Sequence, residues 1–354
     1  MGLTEKQIAK IRDELDNCKR PLYFFHGDQD GLCSFLLLYK YVKEGKGVVV
    51  NARPRIDEKF LRKVEEYQPD KIFILDVAIV DQEFIDKVHV PVIWIDHHDP
   101  LERDKVKYFN PRVADAQANI PASYLCYQVV REDLWIAMVG CIGDWYMPDF
   151  KDEFCEAYPG LLSKKVKMPQ VALFDSKLGT LTRIFGFMLK GRISEALKCA
   201  KILTRIESPY EILDQTSPKG KYIYKYFENI NKEYKSVLAY AVKEIAKQKK
   251  TKKKILVLDY VAGRMSFTGE LSNELLYRNP NNIIIITREQ DGDMKSSLRS
   301  PADINLAGIL AKALFGIEGY GGGHEHACGA CIKKEDWEQF LVNLEDELEK
   351  SKEK

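Results

Sequence analysis

The sequence predicts an α/β fold whose N-terminal part is built on a doubly wound parallel sheet. Short apolar runs alternate with amphipathic stretches between residues 22 and 95, which is the pattern of strands linked by helices. Several of these runs end in a carboxylate or an imidazole, and the carboxyl ends of parallel strands meet at one edge of such a sheet. A second alternating region starts near residue 252 and predicts a smaller C-terminal α/β domain.

Length and composition exclude several classes of protein. A chain of 354 residues is long enough for two domains, and its 45% hydrophobic share supports full cores. Lysine and arginine (54) nearly balance aspartate and glutamate (53), so any surface that binds nucleic acid has to be a local basic patch. No apolar run has the length of a membrane span or the position of a signal peptide, so we expect no membrane association. Eight scattered cysteines fit a reducing cytoplasm.

The N-terminal elements follow from residue type and spacing. Apolar residues at helical spacing predict a first helix within residues 3–18: Leu3, Ile8, Ile11 and Leu15. Predicted strands cover 22–25, 48–50, 72–75 and 92–95, and predicted helices cover 32–43, 81–88 and a stretch with Leu61 and Val64 that Asp57 caps. Residues 121–143 predict helix opened by Pro121, but their apolar pattern also fits a buried strand. The sequence therefore leaves open whether Asp144 follows a helix or a buried strand.

The rest of the chain predicts a helical region and then the second domain. Residues 150–245 show helical patterns, including 193–206 and 222–246, and the lysine-rich run 247–254 predicts a solvated linker, with phosphate contact as the alternative. Predicted strands follow at 255–258, 283–287, 294–299 and 327–332, predicted helices at 270–277, 304–314 and 335–349, and a Gly-rich turn at 319–324. We expect three parts: a catalytic core at 1–150, a helical extension at 151–250 and a substrate-binding domain at 251–354.

Four apolar runs lead into side chains that bind metals or protons. These side chains are His26, Asp28 and Asp30; Asp76; Asp96, His97 and His98; and Asp144. Oxygen-rich sets with some imidazole suit Mn²⁺ or Mg²⁺, whereas structural zinc prefers thiolate. Two such ions clamp the attacking and leaving oxygens of a phosphoryl transfer. We expect Asp76 to bridge the ions, His97 to be a ligand, and His98 to face the phosphate as donor or general acid.

These residues resemble the four motifs of the DHH phosphoesterase superfamily. The matching motifs are His26-x-Asp28-x-Asp30-Gly31, Asp76, Asp96-His97-His98 and Asp144. Gly321-Gly322-Gly323-His324, with Ser297-Leu298-Arg299 upstream, resembles the DHH-associated C-terminal domain. Within the superfamily the chain is most similar to RecJ-like nucleases, particularly the shorter archaeal ones, and to oligoribonucleases (nano-RNases).

The resemblance implies Mn²⁺-dependent phosphodiester hydrolysis, with Mg²⁺ or Co²⁺ as substitutes and the substrate held in a cleft between two domains. It implies that His26, Asp28 and Asp76 hold one ion. It implies that Asp30, Asp76, His97 and Asp144 hold the other, and that Asp96 orients a histidine.

The glycine-rich segment predicts a substrate clamp. Three glycines, including Gly322 and Gly323, let backbone N–H groups approach a phosphate, and His324 adds a donor. Arg299 is suited to bidentate phosphate binding, and Ser297 shares its strand face. RecJ-like members often carry an arginine in a Ser-Arg-Leu-like segment where this chain has Ser272-Asn273-Glu274. Arg278 and Arg264 are the candidate substitutes.

Other residues fit structural interpretations. Cys328 and Cys331 have zinc-like spacing without a second pair, so core packing is favoured. We expect His326 in a loop, His89 at the surface, and Trp94, Trp135 and Trp145 in the core, with base stacking by Trp145 or Tyr146 as the alternative.

The resulting hypothesis is a cytoplasmic, manganese-dependent exonuclease that degrades single-stranded DNA or RNA from an end. The alternative within the same chemistry is a phosphodiesterase of short oligonucleotides, cyclic dinucleotides or phosphoadenosine phosphate.

A non-catalytic RecJ-like replication factor is a further class, which the intact ligand set disfavours. Editing of mischarged alanyl-tRNA is disfavoured because the sequence lacks a separate editing domain with its own His/Cys set. Candidate partners are single-stranded nucleic acid or short oligonucleotides, and replication or repair proteins. The sequence does not indicate the direction of degradation along the strand or the oligomeric state.

Overall fold

The structure is a computed structural model that describes residues 2–50, 55–250, 253–261 and 265–352. It divides into two units, Met1–Glu228 and Asn229–Lys354. The division into parts at residues 150 and 250 stays a prediction. Among the described residues, no helix is both long and apolar enough to cross a membrane.

The N-terminal unit is organised around a five-stranded parallel sheet, which confirms the predicted fold class. Its strands and a small two-stranded pair are β1 (Pro21–His26), β2 (Lys46–Val50), β3 (Arg55–Ile56), β4 (Lys71–Leu75), β5 (Ile79–Val80), β6 (Val92–Ile95) and β7 (Val106–Phe109). The order is β2-β1-β4-β6-β7, and β3 pairs with β5. Both faces of the central strands are buried, which explains why they read as continuous apolar runs. The sequence did not predict β7.

Helices cover this sheet and continue beyond it. They are α1 (Glu5–Asp16), α2 (Gln29–Val42), α3 (Leu61–Tyr67), α4 (Gln82–Lys87), α5 (Ala122–Val130), α6 (Leu134–Gly143), α7 (Lys151–Ala157), α8 (Pro169–Asp175), α9 (Lys177–Met188), α10 (Ile193–Leu203), α11 (Pro209–Leu213) and α12 (Pro218–Lys249). Asp57 caps a short 3₁₀ helix just before α3, as expected for an N-cap residue. The stretch 121–143 forms two helices, α5 and α6, rather than a buried strand, and the non-helical residues between them include Arg131 and Asp133, which have positive φ.

The C-terminal unit contains the part of α12 from Asn229 onward, a mixed sheet and, among the described residues, three further α-helices. Its elements are β8 (Ile255–Asp259), α13 (Thr268–Arg278), β9 (Ile283–Gln290), β10 (Asp293–Arg299), α14 (Leu306–Ala313), β11 (Gly319–His324), β12 (Ala327–Lys333) and α15 (Trp337–Lys352). The strand order is β11-β12-β10-β9-β8, in which only β8 and β9 are parallel. A core that includes Leu298, Leu310 and Phe340 forms under one face of this sheet.

Two predictions about this part of the chain were wrong. The Gly-rich segment 319–324 is an edge strand rather than a turn, joined to β12 by the two residues Glu325 and His326. Glycine is needed there because a Cβ on Gly319 would lie 2.6 Å from the carbonyl oxygen of Cys331. The predicted linker starts inside a helix, because α12 continues to Lys249. Residues 251 and 252 of that run lie outside the described residues.

The structural interpretations of the remaining residues mostly hold. Cys328 packs in the core, and the described cysteines are free thiols. Trp94 and Trp135 are fully buried and His89 is exposed. Trp145 is partly exposed instead of buried in the core, and its φ of 59° is in the left-handed region.

Candidate metal centre

The predicted ligands meet at the carboxyl edge of the parallel sheet. His26 ends β1, Asp76 follows β4, and Asp96 to His98 follow β6, and these three strands are neighbours. Asp28 caps the start of α2, and Asp144 is the C-terminal cap residue of α6. Residues distant in sequence are therefore brought to one place by the order of the strands.

The backbone is specialised at two points of this edge. Asp76 has a φ of 57°, so the chain turns as soon as β4 ends, while its N–H still donates to the carbonyl of Ile95 at 3.0 Å. Gly31 lies so close to the end of β1 that a Cβ there would be 2.7 Å from the backbone nitrogen of His26. Only glycine permits the first turn of α2 to approach the strand in this way.

Asp76 lies at the centre of the cluster, and its two oxygens face different imidazoles. Its Oδ2 lies 3.3 Å from Nδ1 of His26, which is also 2.8 Å from Oδ2 of Asp28. Its Oδ1 lies 3.2 Å from Nε2 of His97, whose Nδ1 is 3.7 Å from Oδ2 of Asp144. Three groups have ligand atoms within 4.8 Å of one another: His26, Asp28 and Asp76; Asp30, His97 and Asp144; and Asp76, His97 and His98.

This set of donors fits hard divalent cations. The Nδ1 atom of His97 is buried and has no hydrogen-bond partner among the described residues, and a bound cation would supply a partner. Carboxylates outnumber imidazoles in the combined groups, and no thiolate belongs to them. Oxygen ligands with some nitrogen suit Mn²⁺ or Mg²⁺ better than structural zinc.

The pKa shifts of the carboxylates in this cluster also favour the binding of divalent cations. Burial alone would raise the pKa of Asp76, but His26 and His97 hold it well below its usual range. Burial raises the pKa of Asp30 well above its usual range, and the charges of Asp76 and Asp144 add to the effect. Burial also raises the pKa of Asp144 to about 6, against the attraction of His97. Carboxylates crowded in a low dielectric repel one another, and bound cations relieve that repulsion.

Asp30 is held in place by the start of a helix. Its Oδ2 accepts from the backbone N–H of Ala122 at 2.7 Å, and its Oδ1 accepts from the N–H of Ser123 at 2.9 Å. Both donors belong to the first turn of α5, whose free N–H groups attract an anion. Each oxygen of a carboxylate has a second acceptor site, so Asp30 remains able to bind a cation.

His98 is oriented by a buried carboxylate. Its Nδ1 lies 2.8 Å from Oδ1 of Asp96, which is fully buried, and its backbone N–H donates to Oδ2 of Asp96 at 3.2 Å. This contact fixes the orientation of the His98 ring and favours a proton on its Nδ1 atom.

Two residues of this network were missed by the sequence analysis. The Nδ2 atom of Asn110 donates to the carbonyl of His98 at 2.8 Å and to the hydroxyl of Tyr108 at 2.7 Å. The hydroxyl of Tyr108 in turn donates to Oδ2 of Asp96 at 3.4 Å. The sequence carries only a weak signal for them, because the short run Val106–Phe109 is followed by the polar Asn110 and by Pro111.

In the C-terminal unit, the strand register places most of the predicted clamp on one face. Ser297 pairs with Gly329, which pairs with Gly322, and Arg299 pairs with Ala327, which pairs with His324. Paired residues of antiparallel strands point to the same side of a sheet. We call this side, with Tyr320, Gly322 and His324 on β11, the clamp face. Gly323 lies on the opposite face and has a φ of 146°, so it shapes the strand.

Arg299 is oriented by Asn273, the middle residue of the Ser272-Asn273-Glu274 segment on α13. Its Nε donates to Oδ1 of Asn273 at 2.6 Å, and its Nη1 donates to the carbonyl of Leu298 at 2.9 Å. Burial lowers the pKa of Arg299 to about 10, so it is still charged at neutral pH. Arg278 is paired with Glu274 at 2.6 Å, and Arg264 lies outside the described residues.

Comparison with known proteins matches both ends of the chain. Residues 22–139 match the N-terminal domain of the DHH family, and residues 252–350 match the DHHA1 domain. An uncharacterised protein of Methanocaldococcus jannaschii is 33% identical over 136 residues, which cover 34% of this chain and 31% of that protein. The match therefore spans about a third of the length of that relative.

Solved structures share the fold at low sequence identity. RecJ of Thermus thermophilus in complex with Mn²⁺ has a TM-score of 0.70 and 16% identity, covering 98% of this chain and 55% of that one. A manganese-bound exonuclease RecJ has a TM-score of 0.57 and 15% identity, covering 96% and 93%. CDC45 of Entamoeba histolytica has a TM-score of 0.56 and 10% identity, covering 98% and 99%.

Proposed function

We propose that this chain, which belongs to the DHH family and carries a DHHA1 domain, is a manganese-dependent phosphodiesterase that degrades single-stranded DNA or RNA from an end. The observation that carries the proposal is the position of Asp76. Its two oxygens face His26 and His97, each of which belongs to a separate group of potential metal ligands. A carboxylate between two such groups suits a bridge between two cations.

The ligands that we propose follow these groups. His26, Asp28 and Asp76 would hold one cation, and Asp30, Asp76, His97 and Asp144 would hold the other. Mn²⁺ is the preferred ion, with Mg²⁺ or Co²⁺ as substitutes. Bound there, the two cations would neutralise the charge of a phosphodiester and lower the pKa of the attacking water.

The protein supplies the proton donor and the grip on the substrate. We assign His98 as the hydrogen-bond donor to the phosphate or as the general acid, because Asp96 fixes the orientation of its ring. The clamp face would bind a phosphate away from the scissile bond through Ser297, Arg299, His324 and the backbone of Gly322. Binding energy gained there positions the substrate for hydrolysis.

The test is hydrolysis of end-labelled DNA and RNA ladders, from dinucleotides to long oligomers, with added Mn²⁺. We expect products that shorten from one end, and none with the Asp76→Ala variant. Efficiency that rises with length and falls steeply with salt supports the exonuclease, because backbone contacts release counterions. A preference for dinucleotides and trinucleotides would instead support the short-oligonucleotide enzyme. Absence of any metal-dependent cleavage would contradict both.

A further inference from the structure

Two glycines near the candidate metal centre lie against a single side chain, that of Gln29. A Cβ on Gly143 would lie 2.5 Å from the Cβ atom of Gln29, and a Cβ on Gly186 would lie 2.3 Å from its Nε2 atom. Neither glycine has a positive φ, so the backbone conformation does not require glycine at these positions. The requirement is one of space, because the Gln29 side chain fills the volume that a side chain on either glycine would need.

Gln29 connects three helices of the N-terminal unit. It is the first residue of α2, Gly143 is the last residue of α6, and Gly186 lies near the end of α9. Protein interiors are close-packed, so contacts too short for one additional methyl group fix the spacing of the helices that make them. The start of α2 is therefore held at a set distance from the end of α6 and from α9.

Helix α9 is itself packed firmly against α6. Thr182 of α9 is fully buried, and its methyl carbon would lie 3.5 Å from a Cβ on Gly143. The hydroxyl of Thr182 donates to the carbonyl of Leu178 at 3.0 Å, so the polar end of this side chain is satisfied within α9. The rings of Trp135 on α6 and Phe185 on α9 meet edge to face with centroids 5.9 Å apart. These contacts make α9 a fixed support for Gln29.

The chain neighbours of Gln29 and Gly143 are proposed metal ligands. Gln29 lies between Asp28 and Asp30, and Asp144 follows Gly143 directly. Asp30 and Asp144 belong to one group whose ligand atoms lie within 4.8 Å of one another. A metal site tolerates only small errors in the positions of its ligands. A shift of the start of α2 relative to the end of α6 would therefore disturb the site.

We propose that Gln29 is a positioning residue that couples α9 to the metal centre, because it holds the ligands at the start of α2 at the spacing from Asp144 that a divalent cation needs. The inference rests on the proposed function and deepens it, since it gives a helix of the region after residue 150 a part in metal binding. The match to the DHH family ends at residue 139, before both glycines. Gln29 acts through its shape, because its contacts with the two glycines are steric.

Binding of Mn²⁺ to the full chain, measured by calorimetry without substrate, tests this coupling. Gln29→Ala removes the side chain between the glycines. It should weaken Mn²⁺ binding by about 10- to 100-fold, which is the usual effect of losing a residue that orients metal ligands. Gln29→Met keeps the length of the side chain without its amide, so it should bind Mn²⁺ as the wild type does.

A glycine variant tests whether Gln29 acts through α9. Gly186→Ala places a methyl group against the Gln29 amide and should weaken Mn²⁺ binding by itself. Combined with Gln29→Ala it should cause no further loss, because the atoms that the methyl group displaces are gone. Gly269→Ala is the matched control, since a Cβ on this glycine of α13 would meet no described atom within 4 Å. It should leave Mn²⁺ binding unchanged.

Thermal unfolding of each variant separates coupling from ordinary packing. A lower melting temperature of Gln29→Ala with wild-type Mn²⁺ affinity would overturn the inference, and so would equal losses of affinity in Gln29→Met and Gln29→Ala. Additive losses in the double variant would also overturn it, because α9 would then act independently of Gln29. If Gly186→Ala does not fold, the two variants of the partly exposed Gln29 still decide the matter.

The outcome is separable from that of the proposed function, because Mn²⁺ binding is measured without a phosphodiester. An affinity for Mn²⁺ that depends on Gln29 in a chain that cleaves nothing would keep the coupling and refute the nuclease. Cleavage of oligonucleotides by the wild type, together with unchanged Mn²⁺ affinity in Gln29→Ala, would refute the coupling alone. A wild-type chain that binds no Mn²⁺ would refute both.

Discussion

The Oδ1 atom of Asp96 lies 2.8 Å from Nδ1 of His98, inside a site where Asp96 has no exposed surface. A carboxylate in that position holds the ring and stabilises its charged form once the ring is protonated. Burial alone would lower the pKa of His98, but Asp96 raises it above the usual value. This pair therefore prepares His98 to donate a proton near neutral pH.

Replacing Asp96 tests this relationship. We expect Asp96→Asn to reduce kcat by about 10²- to 10⁴-fold, because an amide does not stabilise a charged imidazole. The measurement is Mn²⁺-dependent hydrolysis of bis-p-nitrophenyl phosphate, with bound metal determined in parallel. Asp99→Asn, on an exposed carboxylate paired with Arg112, is the matched control. Wild-type kcat in Asp96→Asn would show that the pair has no part in catalysis.

Substitution of the two adjacent histidines should affect metal binding and turnover differently. His97→Ala should lose bound Mn²⁺, because His97 faces both Asp76 and Asp144. His98→Ala should keep its metal and lose turnover by about 10²- to 10⁴-fold, as expected for a missing general acid. Metal analysis of the purified variants decides between these roles. Equal loss of metal in both would make His98 a ligand, as its grouping with Asp76 and His97 also permits.

Arg299 should act on substrates that reach the clamp face. Loss of a charge-assisted hydrogen bond costs about 1.5–3 kcal/mol, so Arg299→Ala should raise KM for oligonucleotides by about 10- to 150-fold. Asn273→Ala should have a smaller effect in the same direction, because it frees Nε of Arg299 without removing the charge. The comparison is with bis-p-nitrophenyl phosphate, for which the loss should be much smaller. Equal impairment of both substrates would mean that this face is no clamp.

A buried ion pair far from the metal centre should make stability depend on pH. Glu14 of α1 is buried and bonds Lys71 of β4 at 2.9 Å and Lys107 of β7. Burial alone would raise the pKa of Glu14, but the two lysines lower it below the usual value of 4.5. A lowered pKa stabilises the fold above the unfolded-state value, and the contribution is lost as pH falls through the folded-state value.

Glu14→Gln should therefore lower the free energy of unfolding by about 1.5–3 kcal/mol at neutral pH. The difference from wild type should shrink as pH falls below 4.5, where the unfolded state takes up the proton first, and should disappear below the lowered folded-state pKa, where Glu14 is protonated in both states. Urea unfolding at several pH values measures it. Glu5→Gln, on an exposed residue at the start of α1, is the control. A constant difference across pH would refute the assigned cause.

Most of the N-terminal fold was predictable because its strands are buried on both faces and carry long apolar runs. Strand β7 was missed because it lies at the edge of the sheet, where Val106, Lys107 and Tyr108 are only partly buried. Its sequence therefore lacks the continuous apolar run that marks the central strands. Asn110 was missed with it, since its role depends on where that strand ends. The positions of Asp28 and Asp144 at opposite ends of two helices depend on tertiary packing, which spacing alone does not give.

The C-terminal strand β11 shows a different limit. Glycine runs are typical of turns, because their sequence carries no β-propensity of its own. Here the register with β12 and the approach of its carbonyl oxygens require glycine at Gly319 and Gly323. The orientation of Arg299 by Asn273 was also hidden, because it joins a strand to a helix 26 residues earlier.

Asp76 decides whether the site works with two metals. Its left-handed backbone is one that asparagine tolerates, so Asp76→Asn should fold, and Asp76→Ala gives a second variant without any side-chain donor. The measurement is the turnover of each folded variant under saturating Mn²⁺, with thermal unfolding as the check on structure. We expect both to remain folded and to hydrolyse no phosphodiester at a measurable rate. Substantial Mn²⁺-dependent turnover by folded Asp76→Ala would contradict a carboxylate bridge between two cations.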